Sequence, residues 1–337
     1  MRPLLAILVA LSFIAVPAVA SPAPAYRAVS SIALPDGEWD YASVDPVSGQ
    51  LFVARADSIT AVDLSGGHAL RSFGAIAQGH AVVAMPGGRV AVTSGRDDSV
   101  RLFDQASGTQ ITSTKVGKGP DAALRDPKTG DLIVMERGGA VSVIDPEAGE
   151  VIRTIVLEPG LEAAALDRTG TLFVNNEKLD RVDVVNGSTG AILPPIVLAG
   201  CEGPSGLAYD AKTDRLIAAC GNDKAAVIDA AHRKLVGLLD IGKGPDAVVL
   251  DAPRRLAFVP CSQDGTLVEI ALDGASGPRV VATIKTEAGA RTGALDPRSG
   301  IIYLPTARFG PAPADGSRPA LIPGSVHLIV VQPDVVG

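Results

Sequence analysis

Short apolar stretches of about four to seven residues run through almost the whole chain. Gly, Pro, Asp and Asn separate them, and these residues make tight turns. One region shows the unit: "AVVAMP", the turn "GG", "RVAVTSG", the turn "RDD", "SVRLFD", the turn "QASG" and "TQITSTKVG". Some stretches alternate apolar and polar residues, as half-buried strands do. Others are continuously apolar, as fully buried strands are. The pattern predicts four antiparallel strands per unit.

The unit repeats. "IGKGPDAVVLD" around Asp246 has a near copy in "VGKGPDAALRD" around Asp121, and looser copies lie upstream and downstream. One position recurs as Asp40, His80, Asp121, Glu162, Ser205, Asp246 and Arg291, at steps of 40, 41, 41, 43, 41 and 45 residues. Four strands in a period of this size make one blade of a β-propeller. The chain is therefore expected to be all-β, a seven-bladed propeller of four-stranded antiparallel blades over residues 21–337. Six blades are complete in chain order. The seventh, starting at Arg291, lacks its outer strand. The segment "RAVSSIALPDG" from Arg27 aligns with the outer strand "KLVGLLDIGKG" from Lys234. The N-terminal strand is thus expected to complete the last blade and lock the ring, which removes open sheet edges.

Two further periodic positions carry acids. Asp45 and its equivalents follow the first strand, and Asp63 and its equivalents follow the third; both sets are assigned to turns. Residues 308–324, "RFGPAPADGSRPALIPG", are an insertion between the second and third strands of the last blade, far longer than the turns elsewhere.

Composition fits many short strands, with 37 Gly, 25 Pro and 47% hydrophobic residues, of which few are aromatic. The first 20 residues differ from the rest. Arg2, the apolar run Leu4 to Val16 and the small residues Ala18-Val19-Ala20 describe a secretory signal peptide. A periplasmic or secreted protein with no membrane span after cleavage is expected. Removing this segment takes the net charge from −7 to about −8. That acidic balance, with few aromatics for base stacking, argues against a nucleic-acid partner. The three cysteines leave one unpaired. Cys201 enters the inner strand of blade five and Cys220 ends its neighbour, which favours a Cys201–Cys220 disulfide. A Cys220–Cys261 bridge between blades is the competing pairing.

In a propeller, the starts of the inner strands lie on one face. Asp40, His80, Asp121, Glu162, Ser205, Asp246 and Arg291 are therefore expected to ring one mouth of the central channel. The insertion projects from the same face. Converging carboxyls gain proton affinity unless a cation compensates. Arg291 compensates part of this charge, and His80 is able to titrate or to ligate. These seven are the candidate ligand-binding residues, and Asp121, Glu162, Asp246 and His80 are candidate ligands for a divalent cation. A polar mouth filled only with water is the plainer alternative. There is no nucleophile elbow, no His-Glu-x-x-His and no phosphate-binding loop. The residues favour a monomeric binding or interaction protein for a small ligand, a cation or a protein partner. The alternative is a metal-assisted lyase or hydrolase with His80 as acid or base.

Four segments carry a resemblance: "WDYASVD" at Trp39 to Asp45, "GPDAALRDP" at Gly119 to Pro127, "CEGPSGLAYD" at Cys201 to Asp210, and "GARTGALDP" at Gly289 to Pro297. With them the chain resembles the exported YncE-type proteins, the YVTN-repeat β-propellers of bacteria, over nearly all of its mature length. The resemblance implies the propeller fold and export. Some such proteins are associated with DNA, but the acidic balance here does not carry that over. The YVTN text itself is replaced by "LFVAR", "LIVME" and "LFVNN". A streptogramin lyase of similar fold uses a metal, His and Glu at the channel mouth. His80 and Glu162 echo that chemistry without a matching motif.

Overall fold

A computed structural model describes residues 25–274, 277–311, 313 and 319–334. The expected signal peptide lies outside the described residues, as do residues 312 and 314–318 of the insertion. The described chain forms seven four-stranded antiparallel sheets. It is an all-β, seven-bladed propeller. The innermost strands of blades one to five are Trp39–Asp45, Gly79–Met85, Pro120–Arg125, Leu161–Leu166 and Pro204–Asp210. Those of blades six and seven are shorter, Val249–Asp251 and Ala294–Leu295. Blade seven holds Ala294–Leu295, Ile302–Thr306 and His327–Pro333, with Tyr26–Ala33 paired antiparallel to His327–Pro333 at its outer edge.

Side-chain alternation within the strands builds the core. Successive residues of a strand point to opposite faces of its sheet, and here both faces meet a neighbouring blade. In the second strand of blade four, Leu172 and Val174 pack on Ile133 and Met135 of blade three. Phe173, between them, packs on Leu216 and Ala218 of blade five. Blade five repeats the device: Ile217 and Ala219 turn the other way, onto Ala257 and Val259 of blade six. This is why the second strands read as continuously apolar runs. Blade seven meets blade one in the same fashion, through Leu328 and Val330 against Leu51 and Val53. The outer strands bury only one face. Lys234–Asp240 accordingly alternates exposed and half-buried residues along its length.

The periodic acids make turns. The Asp45 carboxylate accepts from the amide of Val47, Asp126 from Lys128 and Asp167 from Thr169. After the third strands, Asp63 accepts from Ser65, Asp104 from Ser107 and Asp145 from Glu147. Asp or Asn at these positions replaces a backbone acceptor within the turn. Cys201 and Cys220 form a disulfide with an S–S distance of 2.10 Å, and Cys261 is a buried free thiol.

One backbone feature was not expected. In each of blades one to five the ladder between the first and second strands skips two residues against one. Trp39 pairs with Arg55, but the next pair is Ala42 with Val53. Gly79 with Ser94 is followed by Val82 with Val92, and Pro120 with Glu136 by Ala123 with Val134. The same shift separates Leu161 from Ala164 and Pro204 from Leu207. These are β-bulges, which re-aim a side chain and leave local backbone groups unpaired. In blade six the bridge Pro245 with Cys261 stands apart from the regular ladder that starts at Val249. Asp246 and Arg291 therefore precede the regular part of their strands. In blades one to five the expected position is the first of the two bulged residues.

Candidate functional site

The freed backbone groups of the bulges are tied from blade to blade. Thr93 of blade two accepts from the Ala81 amide and donates to the Asp121 carbonyl in blade three, both at 2.8 Å. Asn175 of blade four donates to the carbonyls of Ser205 and Gly206 in blade five. The Ser205 hydroxyl donates to the Asp246 carbonyl in blade six. Thr292 of blade seven donates to the Asp40 carbonyl in blade one. These bonds hold the bulged residues at the head of the channel.

All seven expected residues line one cavity of about 310 Å³. Ser205 takes part through its blade-to-blade bond, and the other six bring charge or an imidazole. His80 Nδ1 lies 2.7 Å from Asp40 Oδ2 and 3.6 Å from Asp121 Oδ1. Gly95 leaves room for the imidazole, since a Cβ there would fall 2.8 Å from His80 Cδ2. Arg291 reaches Asp40 at 3.4 Å and Asp246 at 3.7 Å. Further lining groups stand outside the seven, Glu38, Tyr41, Arg137 and Glu177 among them. Arg137 Nη1 stands 2.8 Å from Asp121 and 2.8 Å from Glu162, and its Nη2 is 2.6 Å from Glu177. The Glu162 Oε1 lies outside hydrogen-bond geometry despite this short approach. Tyr41 leaves blade one, lines the cavity and packs against the core shared by blades three and four.

Arg137 and Glu177 share a sequence signal. Each is the residue just after the second strand of its blade, where other blades carry Ala56, Gly95 or Gly221. That is a second periodic column on the same face.

The cavity is acidic. Six carboxyl groups line it, from Glu38, Asp40, Asp121, Glu162, Glu177 and Asp246, against the two guanidinium groups of Arg137 and Arg291. Burial pushes the Glu162 carboxyl up to about 9, with the Asp121 charge adding to the rise and Arg137 opposing it. Burial also raises Asp246 to about 7, opposed by Arg291 and reinforced by Asp40 and Asp121. The Asp246 side chain is 30% exposed, but to the channel. Asp121 is raised by burial too, with His80 opposing. For His80, burial works against the proton, yet the Asp40 hydrogen bond and the charges of Asp121 and Asp40 outweigh it and raise the pKa. Arg137 gains proton affinity: burial opposes, and Glu162 and Asp121 prevail. The Tyr41 hydroxyl is raised by burial and then by Asp246, Asp40, Asp121 and Glu162.

Asp40, His80 and Asp121 each offer a ligand atom, all within 4.8 Å of one another. Two carboxylates and one imidazole nitrogen suit a divalent cation. Of the four expected metal ligands, the structure groups His80 and Asp121 in this set, with Asp40 as the third. Glu162 and Asp246 are spread around the same mouth.

The insertion reaches this mouth. Phe309 packs on Trp39, with ring centroids 6.4 Å apart, and the Gly324 amide donates to the Asp36 carboxylate. The remaining histidines sit elsewhere. His68 and His232 lie beside Asp63 and Asp229 of their own turns, and His327 pairs with Glu287.

No protein-family model matches the chain, and no curated protein matches it in sequence. Solved structures do match in shape. A chain of the crystal structure of a mitotic checkpoint complex aligns at a TM-score of 0.76 and 13% identity, covering 98% of both chains. A chain of Kuenenia stuttgartiensis hydrazine synthase aligns at 0.66 and 16% identity, covering 84% of this chain and 94% of that one. At these identities the likeness is one of fold, and it makes this chain a β-propeller.

Proposed function

We propose that the chain is an exported binding propeller, similar to the YncE-type proteins, whose acidic channel mouth takes a small polar ligand bearing positive charge. The observation that carries this reading is the imbalance of six carboxyl groups against two guanidiniums in one cavity. Burial first, and then the charge of neighbouring carboxylates, raises the proton affinity of Glu162 and Asp246 despite Arg137 and Arg291. A ligand ammonium or guanidinium supplies a further cation. It also finds Trp39 and Tyr41 in the lining, whose rings attract cations. Glu162 and Asp246 then ionise, so binding releases protons. The Cys201–Cys220 disulfide supports an oxidising compartment and hence export. No helix among the described residues is long and apolar enough to cross a membrane.

The test is calorimetric titration of the chain with agmatine, run in buffers of different ionisation heat between pH 6 and 8. Wild type should bind with proton release, and the Asp121→Ala/Asp246→Ala variant should bind at least about tenfold more weakly. Equal affinity in the two proteins would refute the site.

The clustered ligand atoms of Asp40, His80 and Asp121 favour one second reading, a divalent-metal site serving a lyase or hydrolase. A metal there replaces the His80–Asp40 hydrogen bond, and His80 then acts as a ligand. Thermal shifts with Mg²⁺, Ca²⁺, Mn²⁺ and Zn²⁺ separate the readings. A metal-specific rise abolished by His80→Ala supports the second, and no rise with any ion removes it.

A further inference from the structure

The channel has a second end of opposite character. A cavity of about 350 Å³ opens where the inner strands of blades three to six finish. Its walls are Leu124, Ala164, Leu166, Ala208, Tyr209 and Leu250. Within the strand Pro120–Arg125, Asp121 belongs to the acidic mouth and Arg125 to this cavity. Four residues of strand rise put them about 13 Å apart.

The charged groups on this cavity are not equivalent. Asp126 and Asp167 line it, but their Oδ1 atoms accept the turn amides of Lys128 and of Thr169 and Thr171. The Lys128 ammonium donates to the Arg168 carbonyl at 2.6 Å. The Tyr209 hydroxyl donates to Asp214, which leaves its ring as wall. Arg125 is different: it is half-buried, lines the cavity, and its guanidinium has no hydrogen-bond or ion-pair partner among the described residues. A guanidinium carries five donors in a planar fork that matches a carboxylate. Left without an acceptor beside an apolar wall, it selects a ligand with the complementary anion.

From this juxtaposition of an unpartnered guanidinium and an apolar cavity, we infer that the second mouth binds a small amphipathic carboxylate. The ligand's apolar body lies against Leu124, Leu166 and Leu250 and its carboxylate accepts from Arg125. The volume is in the range of small-molecule pockets. This site is independent of the acidic mouth and of the ligand proposed for it.

The experiment uses the full mature chain and three probes of equal length: octanoate, octylammonium and 1-octanol. Titration calorimetry should show octanoate binding, with octylammonium and 1-octanol at least about tenfold weaker. Arg125→Gln should lower octanoate affinity by a similar factor, whereas Asp121→Asn at the other mouth should leave it unchanged. The inference is overturned if octanoate gives no binding, if either other probe binds as tightly to wild type, or if Arg125→Gln binds octanoate like wild type. The comparison of probes on wild type stands whatever the variant does to folding.

Discussion

Glu162 and Asp246 keep protons in the folded chain at pH values where an unfolded chain has lost them. Folding therefore takes up protons in that range. The contribution of these groups to stability is fully present below their ordinary values, near 4. It is lost as pH rises through about 7 for Asp246 and about 9 for Glu162. Glu162→Gln removes the larger part of that dependence. Its melting temperature should exceed that of wild type by a margin that widens between pH 5 and pH 9, read by scanning calorimetry. A constant margin would contradict the assignment. Gly95 offers a second check at this scale. Gly95→Ala puts a methyl against the His80 ring, so the imidazole must shift away from Asp40. The raised His80 pKa should then fall, seen by NMR titration, with the fold intact.

The bulge is the element that makes the site. In blades one to five it turns the recurring residue toward the channel, and side chains of adjacent blades bond the carbonyls of Asp40, Asp121, Ser205 and Gly206. Asn175→Leu leaves the Ser205 and Gly206 carbonyls without their donor. It should cost about 1–3 kcal/mol in denaturant unfolding, and a loss below about 0.5 kcal/mol would show that water replaces the amide. The bulge also explains what was readable beforehand. "GPDA" and its copies marked Asp121 and Asp246 by period alone, and the period was enough to bring seven unlike side chains to one mouth. The bulge itself has no signature in one strand, because it is defined by the partner strand skipping a residue. Arg137 was missed for a related reason. It lies in the column after the second strands, which is legible on this face by position, but the residue type there changes from blade to blade (Ala56, Gly95, Arg137, Glu177, Gly221), so nothing singles out Arg137. Tyr41 was missed because its reach across the channel to blades three and four is a tertiary fact.

The whole molecule joins the two ends of the described chain. Tyr26–Ala33 supplies the outer strand of the last blade, with Ala25 and Asp334 hydrogen-bonded at its margin. Truncation of residues 26–33 exposes the edge of His327–Pro333, a ready template for pairing with another copy. The truncated chain should self-associate in light scattering at concentrations where the full chain does not, and a monodisperse truncated monomer would refute this. The blade count, the strand order and the disulfide were legible because each rests on repetition or on spacing within a blade. The two cavities were less so, because their contrast comes from which charges the turns and neighbouring blades consume. Asp126 and Asp167 have one oxygen each tied to turn amides and Glu162 lies beside Arg137, whereas Arg125 has no partner among the described residues.

The pairing of Tyr26–Ala33 with His327–Pro333 joins residues roughly 300 positions apart, and contacts of such separation form slowly. The strand that is synthesised first must wait for the strand that is synthesised last. Its contacts then belong to the late side of the folding barrier. Ile32→Ala, which removes a buried side chain of that strand, should leave the refolding rate nearly unchanged and speed unfolding, with stopped-flow chevrons as the measure. Equal changes in both arms would place this strand in the folding nucleus instead. On this reading the lifetime of the native ring is set by its first strand, whereas the rate at which the ring forms is set elsewhere.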